Sequence, residues 1–297
     1  MTRFGAAMLS VLVVASCVAC GSSNEQAPPK AVTSTSTTGE KSDWPDSLRN
    51  FRFHWTADPG IDVDAGVAVP LRAYLESYDV ASYTVDLGNV YPGFMRATPE
   101  NDALDGDYLA QLAWVRPLNG LRSDEKGAEV FGYTPFHILR VDPTDSGLRA
   151  IVCEGTYANY VKSTSEPGMY VAVAADPQTA APARPDDLVA VHRIELSETD
   201  TRSDANSPAV SAPQRGPAEA PRSDVFGKWF ITGASSSYWG PIKGPQREDV
   251  ATPELRQQCG ERMPEPLDVR AEMATGFKEQ PPAPGAPTPG WPAPPSQ

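Results

Sequence analysis

The chain has 297 residues, 31 of which are proline, and a formal net charge of −13 at pH 7. This acidic balance argues against a nucleic-acid-binding protein, which needs a basic surface. Apolar residues make up 40% of the chain. That is enough for one sizeable core, whereas the clustered prolines indicate that part of the chain lies outside it.

The first twenty residues predict an exported protein. Arg3 is the only charged residue before Glu25, and an apolar run leads from it to small residues that end at Cys20. The run is too short for a stable membrane span, which needs about 20 apolar residues. A short positive start, an apolar middle and small residues at the end are the layout of a secretory signal peptide.

The end of this segment resembles a bacterial lipobox, in which a signal peptidase cuts before a lipid-modified cysteine. The string VASC, ending at Cys17, fits the pattern, whereas CVAC, ending at Cys20, departs from it at its first position. Small polar residues follow Cys20, however, as in many such lipoproteins. The resemblance implies loss of a signal peptide (1–19), acylation such as palmitate on Cys20 or Cys17, and an extracytoplasmic place on the cell membrane.

Cysteine parity predicts a disulfide bond. Cleavage before Cys20 leaves Cys153 and Cys259 as the remaining thiols, and export delivers them to an oxidising compartment. We expect these two cysteines to pair, with two separately buried thiols as the alternative. The Cys17-x-x-Cys20 spacing is not read as a redox motif, because it lies across a signal cleavage site.

Composition divides the rest of the chain into one folded domain and three low-complexity segments. The segments are rich in Pro, Ser, Thr or Ala and carry no hydrophobic period. We therefore predict disorder in a tether at 20–43, in an insert at about 199–224 and in a Pro-rich tail at 269–297. The single domain spans 44–268.

The first regular element predicted in the domain is a helix. Pro70 suits its first turn, and Leu71, Tyr74, Leu75 and Tyr78 form one apolar face at helical spacing. A short second helix is expected over 90–98, residues 105–118 fit either helix or strand, and a last helix is expected over 253–259.

From residue 131 onward the apolar pattern has the period of two that is typical of strands. Strands are predicted at 136–141, 148–154, 157–161, 170–173, 188–196 and 228–232, with a turn over 142–147. Helices followed by an antiparallel series of strands indicate an α+β fold, in which N-terminal helices pack on a curved, cone-like and mainly antiparallel sheet.

The strand strings RAIVCE (149–154), VAVHRIEL (189–196) and GKWFIT (227–232) resemble those of exported mycobacterial proteins with a nuclear-transport-factor-2-like cone domain. The segment from Trp229 to Pro264 is similar to actinobacterial, mycobacterial-type lipoproteins without a characterised function. Arginine outnumbers lysine 18 to 7, which is the bias of a high-GC genome. The cone resemblance implies an interior that can hold a ligand.

Candidate chemistry is sparse. Four residues are candidates for a pocket: His137, His192, Glu154 and Trp229. Each also has a plain structural interpretation, as a hydrogen-bonded strand histidine, a rim carboxylate or a core aromatic. The sequence has no metal-ligand spacing, nucleotide-binding glycine motif or catalytic serine motif, so no metal, cofactor or catalytic residue is expected.

We therefore expect a non-catalytic envelope lipoprotein that binds a protein partner or an apolar small molecule. One alternative is an enzyme with a cone-shaped hydrophobic pocket, similar to isomerases or dehydratases. The other is a scaffold that recruits partners through its Pro-rich tail.

Overall fold

One curled sheet organises the fold in a computed structural model that describes residues 44–118, 127–181, 184, 188–203 and 213–293. Within these residues the sheet has seven strands, in the order β5-β4-β2-β3-β6-β7, and β1 pairs in parallel with β2. All other pairs in the sheet are antiparallel. The strands are β1 (Asn50–Ala57), β2 (Val130–Thr144), β3 (Gly147–Gly155), β4 (Asn159–Lys162), β5 (Tyr170–Ala172), β6 (Val189–Ser197) and β7 (Phe230–Ser235).

Five α-helices lie in the described part of the chain, so the predicted α+β class is confirmed. They are α1 (Ala68–Thr84), α2 (Phe94–Ala97), α3 (Ala110–Ala113), α4 (Pro253–Arg262) and α5 (Leu267–Met273). A separate hairpin pairs β8 (Tyr238–Trp239) with β9 (Glu248–Asp249). The ambiguous segment 105–118 contains the single helical turn α3, and the region predicted as a second helix contains the short α2. The predicted signal peptide (1–19) and tether (20–43) lie outside the described residues.

The sheet separates two apolar cores. On one face, Leu71 and Leu75 of α1 pack in the same cluster as Val152 and Ile194 of the sheet. On the other face, α4 contacts β3 and β6, and its Cys259 forms the predicted disulfide with Cys153. The antiparallel strands and the disulfide therefore agree with the sequence analysis.

The element order differs from the predicted one at its start, because β1 precedes the first long helix. Phe51, Phe53 and Trp55 are buried, and they alternate with half-exposed Arg52 and His54. This is a strand pattern of period two that the sequence analysis did not use. The strand is inserted beside β2 and adds a parallel pair to the sheet.

The Pro-rich tail and part of the insert also differ from the predicted disorder. Residues 267–273 form α5, and residues 213–224 and 281–293 lie on the domain. The backbone of Trp291 exchanges hydrogen bonds with Ala218 at 2.8 and 3.0 Å. Since proline presets an extended backbone, two such segments pair at little entropic cost. Residues 204–212 and 294–297 lie outside the described residues.

The tail also pairs with the sheet through Thr288. Its amide donates to the carbonyl of Phe53 at 3.2 Å, and its carbonyl accepts from the amide of Trp55. The side of β1 that faces away from β2 is therefore covered by the chain's own tail.

A buried polar cluster joins this tail to α1. The Glu76 carboxylate accepts hydrogen bonds from Trp55 Nε1 (2.7 Å), Tyr91 Oη (2.9 Å) and Trp291 Nε1 (2.7 Å). The guanidinium of Arg72 lies 4.3 Å from the ring centroid of Trp291 and donates to four backbone carbonyls. The tail thus covers the polar side of α1. In an ordinary amphipathic helix, that side would face solvent.

Candidate functional site

An open cavity of about 220 Å³ lies between α1 and the ends of β3, β6 and β7. Its walls are partly aromatic and aliphatic, and its acidic and basic side chains come from three different elements. The residues that line it are Tyr74, Leu75, Tyr78, Asp79, Trp114, Glu154, His192, Ala234, Ser235, Ser236 and Ser237. A concave site with a few convergent polar groups is the usual form of a small-molecule pocket.

Two of the polar groups form a pair. His192 on β6 is directly opposite Val152 on β3, so its side chain shares a sheet face with Glu154, two residues further along. The Nε2 atom of His192 and the Oε2 atom of Glu154 are 2.6 Å apart. Both side chains are less than one-fifth exposed. This pair places a hydrogen-bonded carboxylate and an imidazole at one corner of the cavity.

The third polar group is Asp79 of α1, which is 9% exposed. Its Oδ2 atom is buried and has no hydrogen-bond partner among the described residues. Burial first, and then the charges of Glu154 and Glu76, raise the pKa of Asp79 well above its ordinary value. The carboxyl group therefore holds its proton at a pH where an exposed aspartate would be ionised.

Asp79→Asn is expected to raise the free energy of unfolding near neutral pH, because an asparagine does not have to take up a proton on folding. The raised pKa means that the folded chain keeps a proton that the unfolded chain releases. Stability is then lost as the pH rises from the ordinary aspartate pKa, about 4, through the raised folded value. The gain from asparagine should therefore vanish at acid pH. Urea unfolding across that pH range measures it, and an equal or lower stability of the variant at neutral pH would contradict it.

The aromatic side of the cavity is held in place by buried contacts. The Tyr74 hydroxyl donates to the carbonyl of Val115 at 2.7 Å, and its ring stacks on Phe94 with centroids 5.7 Å apart. Burial, followed by the nearby acidic side chains, raises the pKa of Tyr78 to about 12, so its hydroxyl stays protonated. Trp114 is 44% exposed, and it forms the accessible part of the wall.

The structure brings together two of the four candidate pocket residues, Glu154 and His192. His137 lies on the opposite face of the sheet, because it is directly across from Cys153, the neighbour of Glu154. There its ring nitrogens lie 2.8 Å from Thr56 Oγ1 and 3.2 Å from Asp58 Oδ1. Trp229 packs against the apolar core that lies between α1 and the sheet, and it is not part of the cavity wall.

Sequence reasoning missed Asp79 and Trp114. Asp79 continues the helical row of Leu71 and Leu75 at a spacing of four, so a carboxylate on the buried face of α1 was the available signal. Trp114 follows a single helical turn, and no local pattern connects it with the strands.

Comparisons with known proteins add no relative: the chain matches no protein-family model, no curated protein and no solved structure. Within the described ranges, no helix combines the length and apolar character needed to cross a membrane. No cluster of three or more His, Cys, Asp or Glu side chains suited to a metal ion occurs in the same ranges.

Proposed function

We propose that this protein is an envelope lipoprotein whose single domain binds a small, mostly apolar molecule in the cavity at Asp79, Glu154 and His192. The observation that carries the proposal is the cavity itself, which is open, partly aromatic and supplied with polar groups at one corner. Its volume of about 220 Å³ is below the roughly 300–1,000 Å³ of pockets for drug-sized ligands. We therefore infer a small ligand.

The binding proposal is tested with para-fluorobenzyl alcohol, a small neutral aromatic probe, followed by fluorine NMR. The matched variants are Ala234→Phe and Ser146→Phe. Ala234 lines the cavity and is directly opposite Ile194, so its side chain shares the sheet face of His192, whereas Ser146 lies in the exposed β2–β3 turn. We expect the probe signal to broaden and shift with the wild type and with Ser146→Phe. Ala234→Phe should weaken binding by about tenfold or more, because its ring occupies the ligand's space. Equal binding by both variants would contradict the proposed site.

The location is proposed from the lipobox resemblance, with the chain anchored through an acylated Cys20 or Cys17 on the extracytoplasmic face. The buried Cys153–Cys259 disulfide supports export, since such bonds form and persist in oxidising compartments. Labelled palmitate should enter the wild type and be lost from a Cys17→Ala, Cys20→Ala double variant. Label that persists in the double variant would contradict the anchor.

A proton-transferring enzyme is the second candidate, and the Glu154–His192 pair favours it. A hydrogen-bonded carboxylate and imidazole at a pocket wall are groups suited to general acid–base work. The test is the exchange of α-protons of a small aromatic ketone, acetophenone, in heavy water. The enzyme candidate predicts exchange that Glu154→Gln abolishes, whereas exchange no faster than in buffer leaves the non-catalytic binding function.

The scaffold alternative has less support than the other two. Residues 281–293 are engaged with their own domain, through Thr288 on β1 and Trp291 on α1. The part of the tail that the structure describes is therefore occupied by an internal contact.

A further inference from the structure

The charges around the cavity do not balance. Among the described lining residues, Asp79 and Glu154 are the carboxyl groups, and His192 is the one basic side chain. Two acidic groups therefore share the lining with one basic group.

Arg72, the nearby buried cation on α1, is engaged with other carboxylates. The guanidinium of Arg72 faces Glu76 at 3.9 Å and Asp64 at 3.7 Å, so its charge is shared by two other carboxylates. Asp79 has no cation beside it among the described residues of the lining and holds a proton instead. Its Oδ2 atom is left without a hydrogen-bond partner in the same part of the chain. A buried polar atom without a partner costs stability, and a ligand that supplies the partner recovers that cost.

The chemistry of the wall indicates what such a ligand carries. An anion would meet Asp79 and Glu154 as like charges, which raises the cost of burying it. An ammonium group supplies both a positive charge and hydrogen-bond donors. Tyr78 and Trp114 also line the cavity, and aromatic faces attract cations. The remainder of the lining, including Leu75 and Ala234, suits an apolar body.

We propose that the cavity selects a small organic monocation, a protonated amine on an aromatic or aliphatic body, with Asp79 as its counter-ion. This inference rests on the proposed binding function and names its ligand class. On binding, the carboxyl group of Asp79 releases its proton to solvent, and the ammonium takes that proton's place beside the carboxylate. No bond in the ligand forms or breaks.

Several ionisable groups surround the Asp79 carboxyl group, from which the proton is released. The ionisable groups among the described residues that influence Asp79 or share its cavity come from α1, β3 and β6. They are Tyr74, Glu76, Tyr78, Tyr83, Glu154 and His192. The tyrosines keep their protons, because burial raises the pKa of each. His192 is the basic side chain of the lining, so the experiment includes a variant at that position.

The test is calorimetric titration with para-fluorobenzylamine, compared with the isosteric para-fluorobenzyl alcohol. It is carried out near pH 6 in two buffers of different ionisation enthalpy. The amine is protonated there, since an alkyl ammonium of the lysine type has a pKa of about 10. We expect the ammonium to bind at least about tenfold more tightly than the alcohol. About one proton should be released per ammonium bound, and none per alcohol.

Two variants assign the effect to a residue. Asp79→Asn should lose the proton release, and the ratio of its ammonium affinity to its alcohol affinity should fall to about one. His192→Gln should keep the proton release. Circular dichroism confirms that both variants fold.

Each outcome of the titrations decides a claim. Binding of the alcohol without preference for the ammonium overturns this inference and leaves the proposed binding function in place. Ammonium binding without proton release, or release that persists in Asp79→Asn, also overturns it. Failure of both probes overturns the binding function and this inference together.

Discussion

Replacing both Cys153 and Cys259 with alanine is expected to lower the free energy of unfolding by about 4 to 5 kcal/mol. The bond closes a loop over 106 positions of sequence, so its loss releases a large amount of chain entropy in the unfolded state. It also joins β3 to α4, and both cysteines are fully buried. Urea unfolding followed by circular dichroism measures the change.

Chemical reduction supplies the control for this prediction. Dithiothreitol should lower the urea midpoint of the wild type and leave that of the double alanine variant unchanged. The double variant is used because a single substitution would leave one unpaired thiol. A loss below about 1 kcal/mol would show that the packing of α4, rather than the covalent link, holds this face together.

Trp291→Ala is expected to cost about 3 to 5 kcal/mol of stability, the usual range for removal of a buried tryptophan. The side chain is 1% exposed, stacks under the Arg72 guanidinium and donates to the buried Glu76 carboxylate. The alanine variant therefore leaves a cavity and removes one of the three neutral donors to that carboxylate. Thermal and urea unfolding measure the loss.

Two further variants separate the contributions at this position. Trp291→Phe keeps most of the ring but removes the indole donor, so we expect an intermediate loss of about 1 to 3 kcal/mol. Leu267→Ala serves as the control, because that leucine is 55% exposed and its loss should stay within about 0.5 kcal/mol. A Trp291→Ala variant as stable as the control would show that residues 281–293 do not contribute to the domain.

The sequence predicted those parts of the fold that depend on local periodicity. The apolar row that includes Leu71, Tyr74 and Leu75 is buried in α1, as its spacing indicated. The alternating apolar residues around Cys153 and around His192 form β3 and β6, which pair as adjacent antiparallel strands. Local patterns carry this information because burial on one side of a helix or strand repeats with the element's own period.

The features that the sequence did not predict depend on residues far apart in the chain. Proline content predicted a free tail, but the tail's order comes from Glu76 and Arg72, more than 200 positions earlier in the chain. Likewise, Glu154 and His192 were separate candidates in the sequence, but the cavity that they line is completed by Asp79, which lies on α1. No local pattern records that a carboxylate on one element will face a carboxylate on another.

The cover that the tail provides over β1 has a consequence for solubility. A strand edge with free amide and carbonyl groups is a template for pairing with another chain, and β1 carries three large apolar side chains, Phe51, Phe53 and Trp55. Thr288 occupies this edge between Phe53 and Trp55. Detachment of the tail would therefore expose an unpaired strand edge that can pair with another molecule. Aggregation would then accompany the loss of stability. Proline has no backbone N–H to donate to a further strand. The proline-rich segment therefore ends the sheet and prevents strands of other molecules from pairing with it.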